Sequence, residues 1–184
     1  MQQAMAKFIK WAMQTGPWEG GDLDGSSIQD KAEELGLLVR HKLKHQNIKL
    51  VLDLTPTLPA VMGEAGQLEQ AFLNIILNSA EAMPEGGVLS ITSRVLGPAG
   101  GNAYPTQVTV EFKDTGIGMS DNQRLRAFTS LLTSTKAKGT GLGLAIVGRI
   151  IETHQGEVQI NSRVGEGTTI TIILPISSAA SEGS

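Results

Sequence analysis

Apolar residues alternate with polar ones in five stretches: 47–54 ("NIKLVLDL"), 87–96 ("GVLSITSRVL"), 107–114 ("QVTVEFKD"), 157–164 ("EVQINSRV") and 168–175 ("TTITIILP"). A period of two predicts strands half-buried against a core. Turn-rich "GPAGGNAYP" joins the second and third stretches and "GEG" the last two, so each of these pairs reads as a hairpin. Elsewhere the period is helical. Ala4, Met5, Phe8, Ile9, Ala12 and Met13 predict a short amphipathic helix over 4–13. Further helices are expected from a Ser27 cap to about His45, from about Glu64 to Met83, and from about Thr140 to His154. Residues 115–138 show only weak periodicity, with Gly near the start and Thr, Ser and Lys near the end. Loops of that length inside a compact domain are usually functional lids or disordered.

Strands in runs with helices between them predict a two-layer α+β sandwich. The Gly-, Pro- and Asp-rich stretch at 15–27 is the best boundary. It divides the chain into an N-terminal helix and linker at 1–26, a main domain at 27–176 and a solvated tail at 177–184. The 4–13 helix either packs on its own domain or serves another helix as partner.

With 184 residues and 40% hydrophobic content, the chain can bury one good core. A net charge of −3 offers no global basic field for nucleic acid, and "RHKLKH" at 40–45 reads as a solvated helix face. The absence of cysteine excludes disulfides and thiolate metal sites and suits a reducing compartment. No apolar run approaches the roughly 18 residues of a membrane span, and the N-terminus lacks a small-residue cleavage site. The expectation is a soluble, cytoplasmic protein.

Three stretches carry chemistry. In "GQLEQAFLNIILNSAEAM" (66–83), Leu68, Phe72, Ile75, Ile76, Ser79 and Met83 share one broad face. Gln70, Asn74, Asn78 and Glu81 form a polar stripe opposite, flanked by Leu73 and Leu77. That stripe is either a solvated face or a cleft where amide and carboxylate oxygens meet a hard cation or polar ligand. In "FKDTGIGMS" (112–120) a strand ends at Asp114, and Gly116 and Gly118 let the chain turn or lie against something flat. An ionised carboxylate only accepts hydrogen bonds, so it could select an amino-bearing ligand such as adenine; a capped tight turn is the plainer reading. In "KAKGTGLGLAIVGRI" (136–150), Gly139, Gly141 and Gly143 precede a helix and bring bare N–H groups to its positive end, a ready-made phosphate site. Ile146 stands where a dinucleotide fingerprint needs its third glycine, and no glycine is followed by lysine as a Walker A sequence requires.

Together these stretches resemble the ATP-binding catalytic domain of sensor histidine kinases, in the GHKL superfamily shared with DNA gyrase B, a heat-shock chaperone and MutL. "LNIILNSAEAM" is similar to the N box, "DTGIGM" to the first glycine box and "GTGLGLAIV" to the second. "AFTSLLTSTKAKG" is similar to the phenylalanine-containing lid segment, with Leu131 and Leu132 where bulky aromatics often stand, and "HQGEVQINSRVGEGTTITIILP" to the closing hairpin. The resemblance covers residues 27–176. It implies a Bergerat fold: a mixed sheet of about five strands on about three helices, with an ATP lid.

By this resemblance Asn78 would bind the Mg²⁺ that bridges the phosphates, with Asn74 one turn earlier lining the site. Asp114 would hold the adenine amino group, with Gly116 and Gly118 bordering the base. Gly139, Thr140, Gly141, Leu142 and Gly143 would face the phosphates. Thr168 would support Asp114 or a water on adenine, and Lys136 would reach the terminal phosphate.

Superfamily members that hydrolyse ATP typically carry Glu one turn before the metal-binding Asn. Asn74 stands there instead, and an amide cannot serve as a general base. Glu69 lies about 7.5 Å along the helix from Asn74 and roughly 140° around it, a poor substitute. The resemblance therefore implies phosphoryl transfer to a histidine on a separate dimerisation domain, and indirectly to a response regulator. His41, His45 and His154 all lack an acceptor-box context; His154, at a helix C-terminus where a cation is favoured, reads as structural. The chain then reads as the catalytic half alone, monomeric in isolation. The alternatives are an anti-sigma-type serine kinase and a nucleotide-gated interaction module without catalysis.

Overall fold

The computed structural model describes residues 39, 41–55, 58–59, 61, 63–97, 106–128 and 143–176. The predicted 4–13 helix, the 15–27 boundary, most of the helix expected from Ser27 and the C-terminal tail lie outside the described residues.

Five strands form one mixed sheet: β1 (Ile48–Asp53), β2 (Gly87–Leu96), β3 (Gln107–Asp114), β4 (Glu157–Arg163) and β5 (Gly167–Pro175). Their spatial order is β1-β2-β3-β5-β4, with β1 parallel to β2 and every other pairing antiparallel. The period-two stretches account for all five, and both expected hairpins are present. Helix α1 (Ala65–Glu81) connects the parallel pair β1 and β2, as a parallel pair requires a crossover. Helix α3 (Gly143–Thr153) runs beside α1 on the same face of the sheet, and residues 41–45 are also helical.

The core lies between the helices and the sheet. Phe72 of α1 meets Phe112 of β3 with ring centroids 5.6 Å apart, among Ile75, Ile76, Val110, Val147, Ile151 and Ile172. Each such side chain contributes about 1.5–3 kcal/mol by leaving water. Val39 and Leu43 join the same core from the helical segment before β1.

The expected loop at 115–138 contains a helix that the apolar pattern does not show: α2 (Asp121–Arg126). None of its residues is buried, so it has no apolar stripe to reveal it. It is held by a capping box instead, with the Ser120 hydroxyl accepting from the Gln123 amide and the Gln123 side chain accepting from the Ser120 amide at 3.0 Å.

Candidate functional site

Two adjacent rows of side chains cross the helix-facing side of the sheet. By strand register, Leu52, Ile91, Phe112, Ile170 and Ile160 form one row, apolar throughout. The next row reads Leu50, Leu89, Asp114, Thr168 and Ser162. The sheet therefore turns polar at the end of β3, where the core stops and Asp114, Thr168 and Ser162 are all buried.

Asp114 is only 4% exposed. Its Oδ1 accepts the Gly116 amide at 2.9 Å and the Thr168 amide at 3.1 Å, and the Ser79 hydroxyl of α1 also donates to the carboxyl. Burial pushes this carboxyl above the usual Asp range, and the three donors only partly offset it. The turn that follows is pinned on two sides. The Ile117 amide donates to the Ala82 carbonyl at 2.9 Å, at the C-terminal end of α1, and the Met119 amide donates to Ser162 Oγ at 2.8 Å on β4. Gly118 sits at φ +67°, where a side chain would be strained and a Cβ would collide with the Arg163 carbonyl.

The second half of the site lies between α1 and α3. The Nδ2 atoms of Asn74 and Asn78 are both buried without a hydrogen-bond partner among the described residues. The Asn78 Nδ2 lies 2.9 Å from where a Cβ on Gly143 would stand, so its carboxamide rests against the first residue of α3. The polar stripe thus divides. Gln70 and Glu81 are exposed, with Glu81 paired to Lys42 at 3.0 Å, whereas Asn74 and Asn78 turn their side-chain nitrogens into buried positions. Ser79 follows Asn78 in sequence and reaches Asp114, so α1 holds both halves of the site. Glu69 is partly buried, which raises its pKa.

The structure therefore joins Asp114, Gly116 and Thr168 by hydrogen bonds, turns Gly118 against the β4–β5 hairpin, and brings Asn78 to Gly143. Lys136, Gly139, Thr140, Gly141 and Leu142 lie outside the described residues. Phe128, from the segment similar to the lid, packs on α3, with its Cβ 3.2 Å from where a Cβ on Gly148 would stand. His154 is structural as expected, but as a neutral ring rather than a cation at the helix end. Its Nε2 accepts the Glu64 amide at 2.9 Å, so the other ring nitrogen carries the proton and donates to the Ile150 carbonyl at 2.7 Å.

Two residues of the network, Ser79 and Ser162, escaped the sequence reading. Both occupy positions where the local period calls for an apolar side chain: Ser79 on the apolar face of α1, and Ser162 in phase with Val158 and Ile160. A buried serine in an apolar phase was the available signal.

Residues 63–178 match the family described as histidine kinase-, DNA gyrase B-, and HSP90-like ATPase. The chain belongs to this family. It is 38% identical over 136 residues to sporulation kinase E of Bacillus subtilis (strain 168), covering 74% of this chain and 17% of that protein. It is 36% identical over 153 residues to sensor histidine kinase ZraS of Escherichia coli (strain K12), covering 79% of this chain and 31% of that one. The chain thus spans less than a third of either relative. Among solved structures, the mycobacterial sensor histidine kinase MprB matches with a TM-score of 0.62 at 26% identity, over 83% of this chain and 96% of that one. A nucleotide-free catalytic domain of histidine kinase ThkA matches with a TM-score of 0.63 at 27% identity, over 80% and 91% of the two chains. The α+β architecture is that of histidine-kinase catalytic domains, and among the described residues no helix is long and apolar enough to cross a membrane.

Proposed function

We propose that this domain binds Mg·ATP between Asp114 and the α1–α3 cleft and passes the γ-phosphoryl group to a histidine on a separate dimerisation domain. One observation carries the reading: a buried acceptor at Asp114, tied to α1 through Ser79, and two buried amide groups of α1 without partners among the described residues. An ionised carboxylate held by three donors keeps lone-pair capacity for an exocyclic amino group. The buried amide hydrogens of Asn74 and Asn78 require acceptors that the described protein does not provide, and phosphate oxygens supply them.

The donor set fits magnesium. A carboxamide oxygen is a hard ligand, and Mg²⁺ is characteristically bound through few protein oxygens plus substrate phosphates. Asn78 would hold the ion with Asn74 beside it, and the ion would neutralise charge developing on the phosphates. Gly143 at the start of α3, with Gly139, Thr140, Gly141 and Leu142 before it, would donate main-chain N–H groups to those phosphates. Lys136 would approach the terminal phosphate. Asn74 cannot take a proton from water, which favours transfer over hydrolysis.

The test is trans-phosphorylation: the chain is mixed with an intact cognate dimerisation domain, Mg²⁺ and labelled ATP. Label on the acceptor histidine is expected. Nucleotide binding without label on the histidine would defeat the kinase reading.

A further inference from the structure

The arrangement around Ser162 fixes the proton of its neighbour. Ser162 Oγ has three partners: the Met119 amide at 2.8 Å, the Gly167 carbonyl at 3.0 Å and Thr168 Oγ1 at 2.8 Å. A hydroxyl offers one proton and two lone pairs. The amide can only donate and the carbonyl can only accept. Ser162 therefore gives its proton to Gly167 and takes the Met119 proton on one lone pair. Only its second lone pair remains for Thr168, so the Thr168 hydroxyl donates to Ser162.

Thr168 Oγ1 is left with lone pairs alone to offer. Thr168 pairs directly with Asp114 in the register of β3 and β5, and its own amide is already committed to Asp114 Oδ1. Carboxylate and hydroxyl then both present acceptors. A purine with a 6-amino group meets such a pair with its two N–H bonds. A 6-oxo purine meets it with a lone pair and is rejected, because an unpaired buried acceptor costs its desolvation.

We propose that Ser162 is a positioning residue for base specificity: by accepting the Thr168 proton it holds that hydroxyl in its acceptor state and selects 6-amino over 6-oxo purine nucleotides. The inference rests on the reading that the base docks at Asp114.

The experiment titrates Mg·ATP and Mg·ITP, which differ in the 6-substituent and in the N1 proton it brings, against the full chain. Wild type should prefer ATP. In Ser162→Ala the Thr168 proton is free to turn outward and donate to a 6-oxo group, so the ATP/ITP affinity ratio should fall about tenfold, the size of one hydrogen bond gained or lost. Ser162→Thr keeps the oxygen and should restore the ratio. Thr168→Val, followed separately by thermal melting, should also lower the ratio, and adding Ser162→Ala to it should change the ratio no further.

A purely structural serine would weaken both nucleotides equally and leave the ratio intact, which would overturn the proposal. An unchanged ratio in Thr168→Val would overturn it as well, even if Ser162→Ala failed to fold. Wild type that binds ATP and ITP equally sinks this inference alone. Wild type that binds neither nucleotide sinks the docking site and this inference with it.

Discussion

The two halves of the site are built on opposite principles. Around Asp114 almost every polar atom has its partner: two backbone amides and Ser79 on the carboxyl, and Met119, Gly167 and Thr168 on Ser162. Between α1 and α3, the amide ends of Asn74 and Asn78 are buried with none among the described residues. The first half is preorganised by strands whose register is locked, so recognition there needs little rearrangement. In the second, each buried group left without a partner by the described residues would cost about 1–3 kcal/mol until a ligand's acceptor oxygens meet it. On the proposed reading, shape and hydrogen-bond polarity would choose the base, and the buried donors would draw the phosphates.

The contrast is broken most directly by metal dependence. Asp114→Ala should weaken ATP by about 100-fold or more, with or without magnesium, because it removes a charged acceptor and strands the Gly116 and Thr168 amides. Asn78→Ala should lose far more affinity in the presence of magnesium than in its absence. Calorimetry on both variants with and without the ion checks this, and equal metal dependence would erase the distinction between the halves.

Stability should move in opposite directions. Asn74→Leu removes a buried amide without a partner among the described residues and should raise the melting temperature by several degrees, corresponding to about 1 kcal/mol or more. Ser79→Ala removes a donor from a satisfied network and should lower it by a similar amount. Differential scanning calorimetry without nucleotide measures both.

A pH series sharpens the role of Asp114. Its folded pKa lies above the ordinary value of 3.8, so between those two values the folded state binds more protons than the unfolded state. Stability contributed by this group therefore falls as pH rises from 3.8 through the raised value and stays lower above it. Asp114→Asn should flatten that part of the wild-type curve, while Glu69, raised by burial from 4.5, leaves a slope of the same sign in both proteins. ATP affinity should change the other way, declining on acidification at a pH above that of an ordinary carboxylate.

The smallest effect is expected at the hairpin beyond the site. Gly165 has φ +82° and open space around it, so Gly165→Asn should alter the melting temperature by less than about 0.5 kcal/mol equivalent. Gly118→Ala, facing the Arg163 carbonyl, should be far more damaging.

Much of the architecture was legible in advance because strand and helix periods are local. The stretches 87–96 and 107–114 are β2 and β3 to the residue, and the polar stripe at Asn74 and Asn78 was visible as a face. Helix α2 was not, since a helix that buries nothing leaves only its cap as a signal. His154 was placed at a helix end where a cation is favoured. Only the approach of the Glu64 amide, from a segment distant in sequence, makes its Nε2 an acceptor. The stripe itself divided into exposed ends and a buried middle because α3 covers Asn78 at Gly143.

The sequence alone determined the five strands, the two long helices, the glycine-bearing turns and which side chains could accept, donate or carry charge. Those follow from residue type and from spacing along a short stretch of chain. The tertiary structure decided that Asp114, Thr168 and Ser162 stand in one row, and that the Nδ2 groups of Asn74 and Asn78 are buried without partners among the described residues. Both depend on strand register and helix packing, which join residues far apart in the chain, so neither is written in any local pattern.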